Sequence, residues 1–398
     1  MQAGRALFGA LESWRGILAL SVALYHLSAA GHFYNWDIVR HSNISVLFFF
    51  VLSGFVMMHA YGARLDTVRQ ARVFTIKRFG RLYPLHFAML MAFLAFELVK
   101  LALVAEGAES GQAPFTGVNS LEYLGYALVL LNGIPQMELS GWNFPSWSIS
   151  TEFYTYLIFA VWCVFFRRWR WPIAIMLCVV TASMILWRRF HPGFEFAVEA
   201  GFLRCVYGFF LGAMAYTLHQ RFAAVKLKAA TLWELGAVAA LLSMYLVRFP
   251  GINVLAGILF SGAIIVFARG EGAISRLLTT NAPSFLGRIS YSIYMTHAFV
   301  LALMTGFARY AEDRWHLQLQ MPNSEMFFFG NAWTMDALAL GYLGAVVTVS
   351  VLTYRWIEAP GRDFFARLAE GGSLKAAWSA ALAAARLRGP DGRFALVR

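Results

Sequence analysis

The chain is short of charged side chains. Only 14% of its 398 residues are Asp, Glu, Lys or Arg, whereas 60% are hydrophobic and the mean hydropathy is +0.60. Soluble domains carry about 25% charged residues, so this composition excludes an ordinary water-soluble fold. Apolar runs of about twenty residues recur along the sequence, and each is long enough to cross a bilayer as a helix. We therefore predict an all-α, polytopic transmembrane helix bundle.

The chain also has little cysteine. Cys163, Cys178 and Cys205 lie in apolar segments, and their spacing matches neither a disulfide framework nor a zinc site. We expect them to be small core residues, and we expect no metal. The first apolar segment has no small-residue cleavage site and carries Arg15, so we interpret it as a retained helix and not as a cleaved signal.

The net charge of +12 is spread over the segments between the apolar runs. This pattern is typical of membrane proteins, because cytoplasmic loops collect Lys and Arg. It explains the positive charge better than a nucleic acid partner does, and we expect no such partner.

Ten apolar segments are candidate spans. They cover residues 14–33, 44–62, 82–104, 147–166, 172–188, 199–218, 231–248, 251–269, 287–310 and 334–355. Placing the basic loop 64–81 in the cytosol puts the N-terminus there too, and the basic stretch after Glu358 gives the same result from the other end. The two assignments agree only if residues 121–146, which are short of apolar length, do not cross. We predict about ten spans with both termini cytosolic.

Two regions follow from this topology. Residues 1–358 form one membrane domain, and residues 359–398, rich in Ala and Arg, form a basic cytosolic tail that can lie on anionic lipid. No internal repeat is visible, which disfavours the inverted-repeat transporter folds.

Arg15 and His26 stand eleven residues apart in the first apolar segment. Eleven residues are about three helical turns, so both side chains project from nearly the same face, about 16 Å apart along the axis. Ionisable groups inside a membrane are costly and mark functional sites by default. The alternative is a snorkelling arginine and a histidine satisfied within the core.

Lys77, Arg78 and Arg81 lie at the cytosolic boundary of the third predicted span. Arg78 and Arg81, three residues apart, share one face of a helical turn, and Lys77 adds a further charge. Guanidinium groups bind phosphate oxygens in a bidentate manner. The alternative is that these residues only anchor the helix and set its orientation.

Ser148 and Glu152 follow a helix-start signal at residues 145–146 and share a face of the helix. Glu152 then lies in the outer half of the membrane, at a depth comparable with that of His26. A carboxylate and an imidazole could therefore meet inside the bundle.

Other candidates are less specific. Gly54 permits close helix approach and Ser53 can hydrogen-bond across it, so packing explains that motif. His297 lies near mid-membrane, where it either lines a cavity or is a satisfied core histidine.

Six motifs occur in order along the chain. They are Glu12–Leu20 with His26, Phe50–Phe55, Lys77–Pro84, Trp147–Tyr154, Ser290–Tyr294 with His297, and Tyr354–Glu358. Together they resemble the acyltransferase type 3 family of bacterial integral membrane proteins, over roughly residues 11–360. One departure is the single Glu152, where the family often shows two acidic residues.

The resemblance implies transfer of an acyl group, commonly acetyl, from acyl-CoA to a hydroxyl of a carbohydrate or similar acceptor at the far side of the bacterial cytoplasmic membrane. The family's paired motifs fall on Arg15 and His26, on Arg78 and Arg81, and on Ser148 and Glu152. The chain shows no sign of the soluble hydrolase-like domain that fused members carry.

The residues and the resemblance together predict a mechanism. The CoA phosphates bind Arg78 and Arg81 with Arg15 at the entrance, and the thioester lies near His26, which takes a proton from the acceptor hydroxyl. Glu152 holds the imidazole, as a carboxylate does in hydrolytic triads.

Three alternatives remain open at this point. The first is a covalent acyl-imidazole intermediate. The second is the same chemistry on a small secondary metabolite such as a macrolide. The third is a transporter that exports a glycan or lipid-linked precursor without chemistry. The sequence does not indicate an oligomeric state.

Overall fold

The computed structural model describes residues 8–107, 112–134, 141–191, 200–225, 227–247, 249–322 and 324–387. Within these ranges all the regular elements are helices, and there is no strand. The helices are α1 Gly9–His26, α2 His32–Asn35, α3 Asp37–Arg40, α4 Ser45–Tyr61, α5 Val68–Ala105, α6 Leu121–Leu128, α7 Trp147–Phe165, α8 Arg170–Phe190, α9 Ala200–Arg221, α10 Ala230–Leu246, α11 Ile252–Arg269, α12 Ala273–Leu278, α13 Asn281–Arg288, α14 Ser290–Trp315, α15 Ala332–Thr353, α16 Ala359–Ala369 and α17 Leu374–Leu387. The predicted all-α class is confirmed.

Each of the ten predicted spans overlaps one long helix of the described chain, although α1 ends at His26 and the predicted span 14–33 runs further. Eight stretches are long and apolar enough to cross a membrane: Ser42–Tyr61, Val68–Ala105, Phe144–Phe165, Arg167–Arg188, Ala200–Arg221, Ile252–Arg269, Ser290–Trp315 and Ala332–Ala369. The helix α10 is apolar but shorter. The helix α1 is less apolar, since Glu12 and Arg15 lie in its first half. The protein is thus a polytopic helix bundle with eight clear candidate spans and two weaker ones.

The segment 121–146 contains no spanning helix in its described part. Its one α-helix, α6, has eight residues and is about 12 Å long, which is too short to cross a bilayer. A 3₁₀ turn at Phe144–Ser146 then leads into α7, where the sequence placed a helix start. Residues 135–140 lie outside the described residues.

The helix α5 is much longer than the predicted span 82–104. It begins with a capping box in which the Thr67 hydroxyl accepts from the Gln70 amide while the Gln70 side chain accepts from the Thr67 amide. The helix then runs for 38 residues and includes Pro84. The basic residues therefore lie within a continuous helix, and not at its start as predicted.

The tightest crossing in the core is between α4 and α9. A Cβ atom on Gly54 would overlap the backbone of Phe209, and one on Gly212 would overlap the carbonyl of Val51. Glycine at both positions lets the two backbones touch, which is the packing role predicted for Gly54.

The chain continues beyond α15 without a break. A π-helical turn, Tyr354–Glu358, joins α15 to α16. The helix α16 then packs on α5, with Phe365 against Gly80 and Gly361 against the Pro84 ring. Residue 358, the predicted end of the membrane domain, thus lies inside a continuous helical stretch, and residues 388–398 of the predicted tail lie outside the described residues.

Candidate active site

A cavity of about 160 Å³, lined by both apolar and polar side chains, lies between α1, α4, α5, α7 and α14. Its polar lining consists of Arg15, Ser53, Arg78, Arg81, Ser148, Glu152, Tyr156, Ser290, Tyr291 and Tyr294. We call it the arginine cavity. Pockets for whole drug-sized ligands measure about 300–1,000 Å³, so this cavity has room for the end of a long molecule only.

Five of the seven predicted site residues line the arginine cavity, and two do not. The five are Arg15, Arg78, Arg81, Ser148 and Glu152. The two that lie elsewhere are His26 and Lys77.

Arg15 reaches the cavity from the first half of α1. Its guanidinium group makes no hydrogen bond or ion pair with any described residue. The charges that influence it most are Arg81, Glu152, Glu12 and Glu358. A guanidinium group held inside a helix bundle without a direct partner is costly, and an anionic ligand would supply that partner.

Arg78 and Arg81 share a helix face but have different partners. Arg81 forms an ion pair with the buried Glu358, which also accepts a hydrogen bond of 2.6 Å from the Ser292 hydroxyl. Arg78 pairs with no carboxylate among the described residues, and its Nη2 donates to the Tyr61 hydroxyl at 3.2 Å. The charge of Arg81 is thus balanced by a carboxylate of the protein, whereas the charge of Arg78 is balanced by none among the described residues.

Lys77 faces the surface. Its Nζ lies 2.7 Å from Oε1 of Glu370, just beyond α16, and the Glu370 side chain is 65% exposed. The hydrogen bond from Lys77 lowers the pKa of the Glu370 carboxyl, so the pair is charged near neutral pH. Lys77 therefore connects α5 to the C-terminal helices and does not point into the arginine cavity.

Glu152 and Ser148 lie one helical turn apart on the face of α7 that lines the cavity, as predicted. Oε1 of Glu152 accepts hydrogen bonds from Ser53 at 2.6 Å and from Tyr156 at 2.5 Å. The Ser148 hydroxyl lies 2.9 Å from the Tyr294 hydroxyl. Glu152 is thus the carboxylate of the cavity and is held there by two hydroxyl groups.

His26, at the end of α1, is not bonded to Glu152. Its Nδ1 lies 2.9 Å from the Val22 carbonyl oxygen and 3.2 Å from Nε2 of His297. The expected contact with Glu152 is therefore wrong, because that carboxylate is bonded to Ser53 and Tyr156. The Nε2 of His26 makes no hydrogen bond with a described residue.

His297 is the partner of His26, and it was not among the site residues predicted from the sequence. It is fully buried in α14, and its ring stacks on that of His26 with 5.1 Å between centroids and an interplanar angle of 25°. Tyr294, one turn earlier, lines the arginine cavity and packs its ring 5.8 Å from that of His297. The signal available in the sequence was an ionisable residue at mid-membrane, but its partner lies 271 residues away.

The cysteines are core residues in the structure. The three cysteines are buried and free, as expected of core residues. Within the ranges that the structure describes, no group of three His, Cys, Asp or Glu side chains could hold a metal ion.

The fold and the site define a class of protein: a polytopic membrane helix bundle that keeps arginines, a carboxylate and a histidine pair in its interior. The chain belongs to the acyltransferase type 3 family. The family model, described as an acyltransferase domain, matches residues 8–355, which is nearly the whole chain. An acyltransferase domain in a bundle of candidate membrane helices thus accounts for nearly the whole chain, as its motifs predicted.

The chain is also similar to two curated proteins, one of which is named as an acyltransferase. Acyltransferase MdmB of Streptomyces mycarofaciens is 32% identical over 151 residues, which are 37% of this chain and 33% of that protein. The match thus spans about a third of the length of that relative. Protein 2 in picA locus of Rhizobium radiobacter is 31% identical over 162 residues, which are 38% of this chain and 80% of that protein. No solved structure matches the chain significantly.

Proposed function

We propose that the protein transfers an acyl group, acetyl in the first instance, from cytosolic acyl-CoA to a hydroxyl of a carbohydrate acceptor such as a cell-surface or exported polysaccharide. The observation that carries this proposal is the arginine cavity, where Arg15 and Arg78 lack a carboxylate partner. Such groups suit the phosphates or the polarised thioester of an anionic donor.

The size of the cavity determines how much of the donor enters. A space of about 160 Å³ holds the acyl group and part of the extended arm of CoA, while the nucleotide and its phosphates stay at the mouth. Arg78 would bind phosphate at that mouth, and Arg15 would complement the same negative charge. Glu152 would balance the positive charge of the cavity and keep the guanidinium groups in place.

His26 is the proposed proton acceptor. A carbonyl oxygen only accepts hydrogen bonds, so the contact with Val22 places the proton of the neutral ring on Nδ1 and leaves a lone pair on Nε2. An imidazole in this form can take up a proton at Nε2.

The proposed reaction replaces the C–S bond of the thioester by a C–O bond and moves one proton from the acceptor hydroxyl to the CoA sulfur. The acceptor hydroxyl oxygen attacks the thioester carbonyl carbon while its proton moves to Nε2 of His26. The C–S bond then breaks, and the departing thiolate takes the proton from Nε2 of His26 and leaves as CoA thiol. Since Tyr294 lies between the arginine cavity and the histidine pair, the acyl group must pass this ring to meet the imidazole.

The site is proposed to lie across the bacterial inner membrane, with both termini in the cytosol, the arginines in the cytosolic half and His26 in the outer half. The basic segments of the chain support this orientation. Single cysteines at Gln70 and Ser373 should then react with an impermeant thiol reagent only after lysis. Cysteines at Gln112 and Gln318 should react in intact cells, and labelling of these two from opposite sides would overturn the orientation.

The donor and acceptor can be tested with the full chain purified in detergent. Acetyl-CoA is incubated with methyl glycosides of neutral and amino sugars or with a macrolide, and released thiol is measured. We expect acceptor-dependent thiol release and an acetyl ester on one sugar, detected by mass spectrometry. Acetylation of the macrolide alone would favour a small-metabolite acceptor. Absence of thiol release with all acceptors, from protein that binds acetyl-CoA, would count against the proposed acceptors.

A further inference from the structure

We propose that His297 is the positioning residue for His26: it accepts a share of the Nδ1 proton and thereby keeps the Nε2 lone pair of His26 available to the acceptor hydroxyl. This inference rests on the proposed role of His26. It gives to a second imidazole the task that the sequence had assigned to Glu152.

The geometry of the pair supports a hydrogen bond between the two rings. The distance between Nδ1 of His26 and Nε2 of His297 is 3.2 Å. The ring planes are inclined by only 25°. The two residues come from α1 and α14, so their meeting depends on how these helices pack and not on local sequence.

The tautomers follow from the neighbouring acceptor. Nδ1 of His26 must carry the proton, because the Val22 carbonyl at 2.9 Å can only accept. Nε2 of His297 must then present its lone pair to the same proton. When the Nε2 of His26 takes up a proton, the Nδ1 hydrogen becomes more acidic, and the second acceptor stabilises the imidazolium.

No carboxylate of the described residues hydrogen-bonds to either ring of the pair. The described side chains whose rings contact the two histidines are those of Tyr25, Phe144 and Tyr294. None of them bonds to a ring nitrogen of either residue. His297 is therefore the one described side chain that hydrogen-bonds to the His26 ring.

His86 shows what an ordinary buried histidine does in this protein. It is as fully buried as His297, but its Nε2 bonds to the Ala127 carbonyl at 2.8 Å, so it ties α5 to α6. The Nδ1 of each of these two histidines is buried without a hydrogen-bond partner among the described residues, so what distinguishes His297 is that it directs its Nε2 to another ionisable side chain. A buried hydrogen bond between two ionisable rings, in place of one from a ring to a backbone carbonyl, is therefore the feature that points to a role for His297 beside His26.

The test uses three variants of the full-length enzyme. His297→Leu removes the acceptor, His297→Gln keeps an amide near the position of Nε2, and His86→Leu is the matched control at a buried histidine outside the site. Turnover of acetyl-CoA is measured with the acceptor that supports the wild-type enzyme, and Tm is measured in detergent.

We expect His297→Leu to lower kcat about 100-fold with KM for acetyl-CoA within about twofold, because the change affects proton transfer and not donor binding. His297→Gln should recover at least about tenfold of that loss. His86→Leu should lower Tm and leave kcat near the wild-type value. A kcat for His297→Leu within about threefold of wild type, or equal losses in the Leu and Gln variants, would overturn the inference and assign His297 to packing.

A second measurement does not depend on the acceptor. Histidine-selective ¹⁵N spectra, assigned by difference from His26→Asn, report which ring nitrogen of His26 carries the proton. We expect Nδ1–H in the wild type and in His297→Gln, with a larger Nε2–H fraction in His297→Leu; an unchanged tautomer would count against positioning. If His26→Ala retains turnover, the proposed function itself fails, whereas loss in His26→Ala with full activity in His297→Leu removes only the present inference.

Discussion

The arginine cavity and the histidine pair differ in the charged groups that they contain. The cavity gathers three guanidinium groups and a carboxylate, and the ion pair from Arg81 to Glu358 neutralises part of the total. The histidine pair consists of two rings that bond to each other and to a helix carbonyl. The cavity is suited to hold an anion and the pair to exchange a proton, and α1 contributes Arg15 to one and His26 to the other.

The largest effect on turnover is expected when the proposed proton acceptor, His26, is removed. His26→Ala is expected to lower turnover about 10³-fold, within the range of general base catalysis, while acetyl-CoA binding stays close to wild type. Thiol release measures turnover, and titration calorimetry in detergent measures acetyl-CoA binding, so the two expectations are checked separately. Near-normal turnover would show that the histidine end does not carry the chemistry.

Breaking the buried ion pair should come next, and its effect should be on stability. Arg81→Met leaves Glu358 buried without its cation, which costs about 3 kcal/mol when one partner of such a pair is removed. A double variant with Glu358→Gln removes both charges and should regain most of the loss. Thermal unfolding in detergent gives the comparison, and equal Tm values for the single and double variants would contradict the pairing.

Arg78, which pairs with no carboxylate of the described residues, should respond in donor binding and not in stability. Arg78→Lys keeps the charge but loses the planar fork, so acetyl-CoA binding should weaken about tenfold while Tm stays near wild type. Unchanged affinity would mean that Arg78 only anchors α5. Arg78 and Arg81 share a helix face, so their spacing predicts the same role for both. A change in binding for Arg78 and in stability for Arg81 would show that their roles differ.

The smallest effect is expected at Lys77. Because this pair is exposed at the surface, Lys77→Ala should change acetyl-CoA affinity by less than about twofold and shift Tm only slightly. The same titration serves as the measurement. A loss of affinity as large as that of Arg78→Lys would return Lys77 to the donor site.

The sequence predicted what depends on local chemistry. Hydropathy located the long helices, and four-residue spacing placed Ser148 and Glu152 on one face. It failed at the start of α5: the predicted span begins at residue 82, but the helix begins at Val68 after the capping box of Thr67 and packs against α16.

The partners of the site residues depend on long-range packing. Arg81 meets Glu358 across 277 residues, and His26 meets His297 across 271. Spacing within a helix specifies which side chains share a face, but not which helix that face meets. The wrong assignment of Glu152 to His26 has this cause, since both residues were placed at a suitable depth without knowledge of their neighbours.

The π-helical turn before α16 bears on where the enzyme can be shortened. The family match ends at residue 355, but the carboxylate that neutralises Arg81 comes three residues later, at Glu358. A fragment trimmed to the boundary of the family would therefore keep every motif arginine and lose one of their counter-charges, together with the helix that packs on Gly80. The smallest self-sufficient catalytic unit should include α16, and fusion tags belong beyond it.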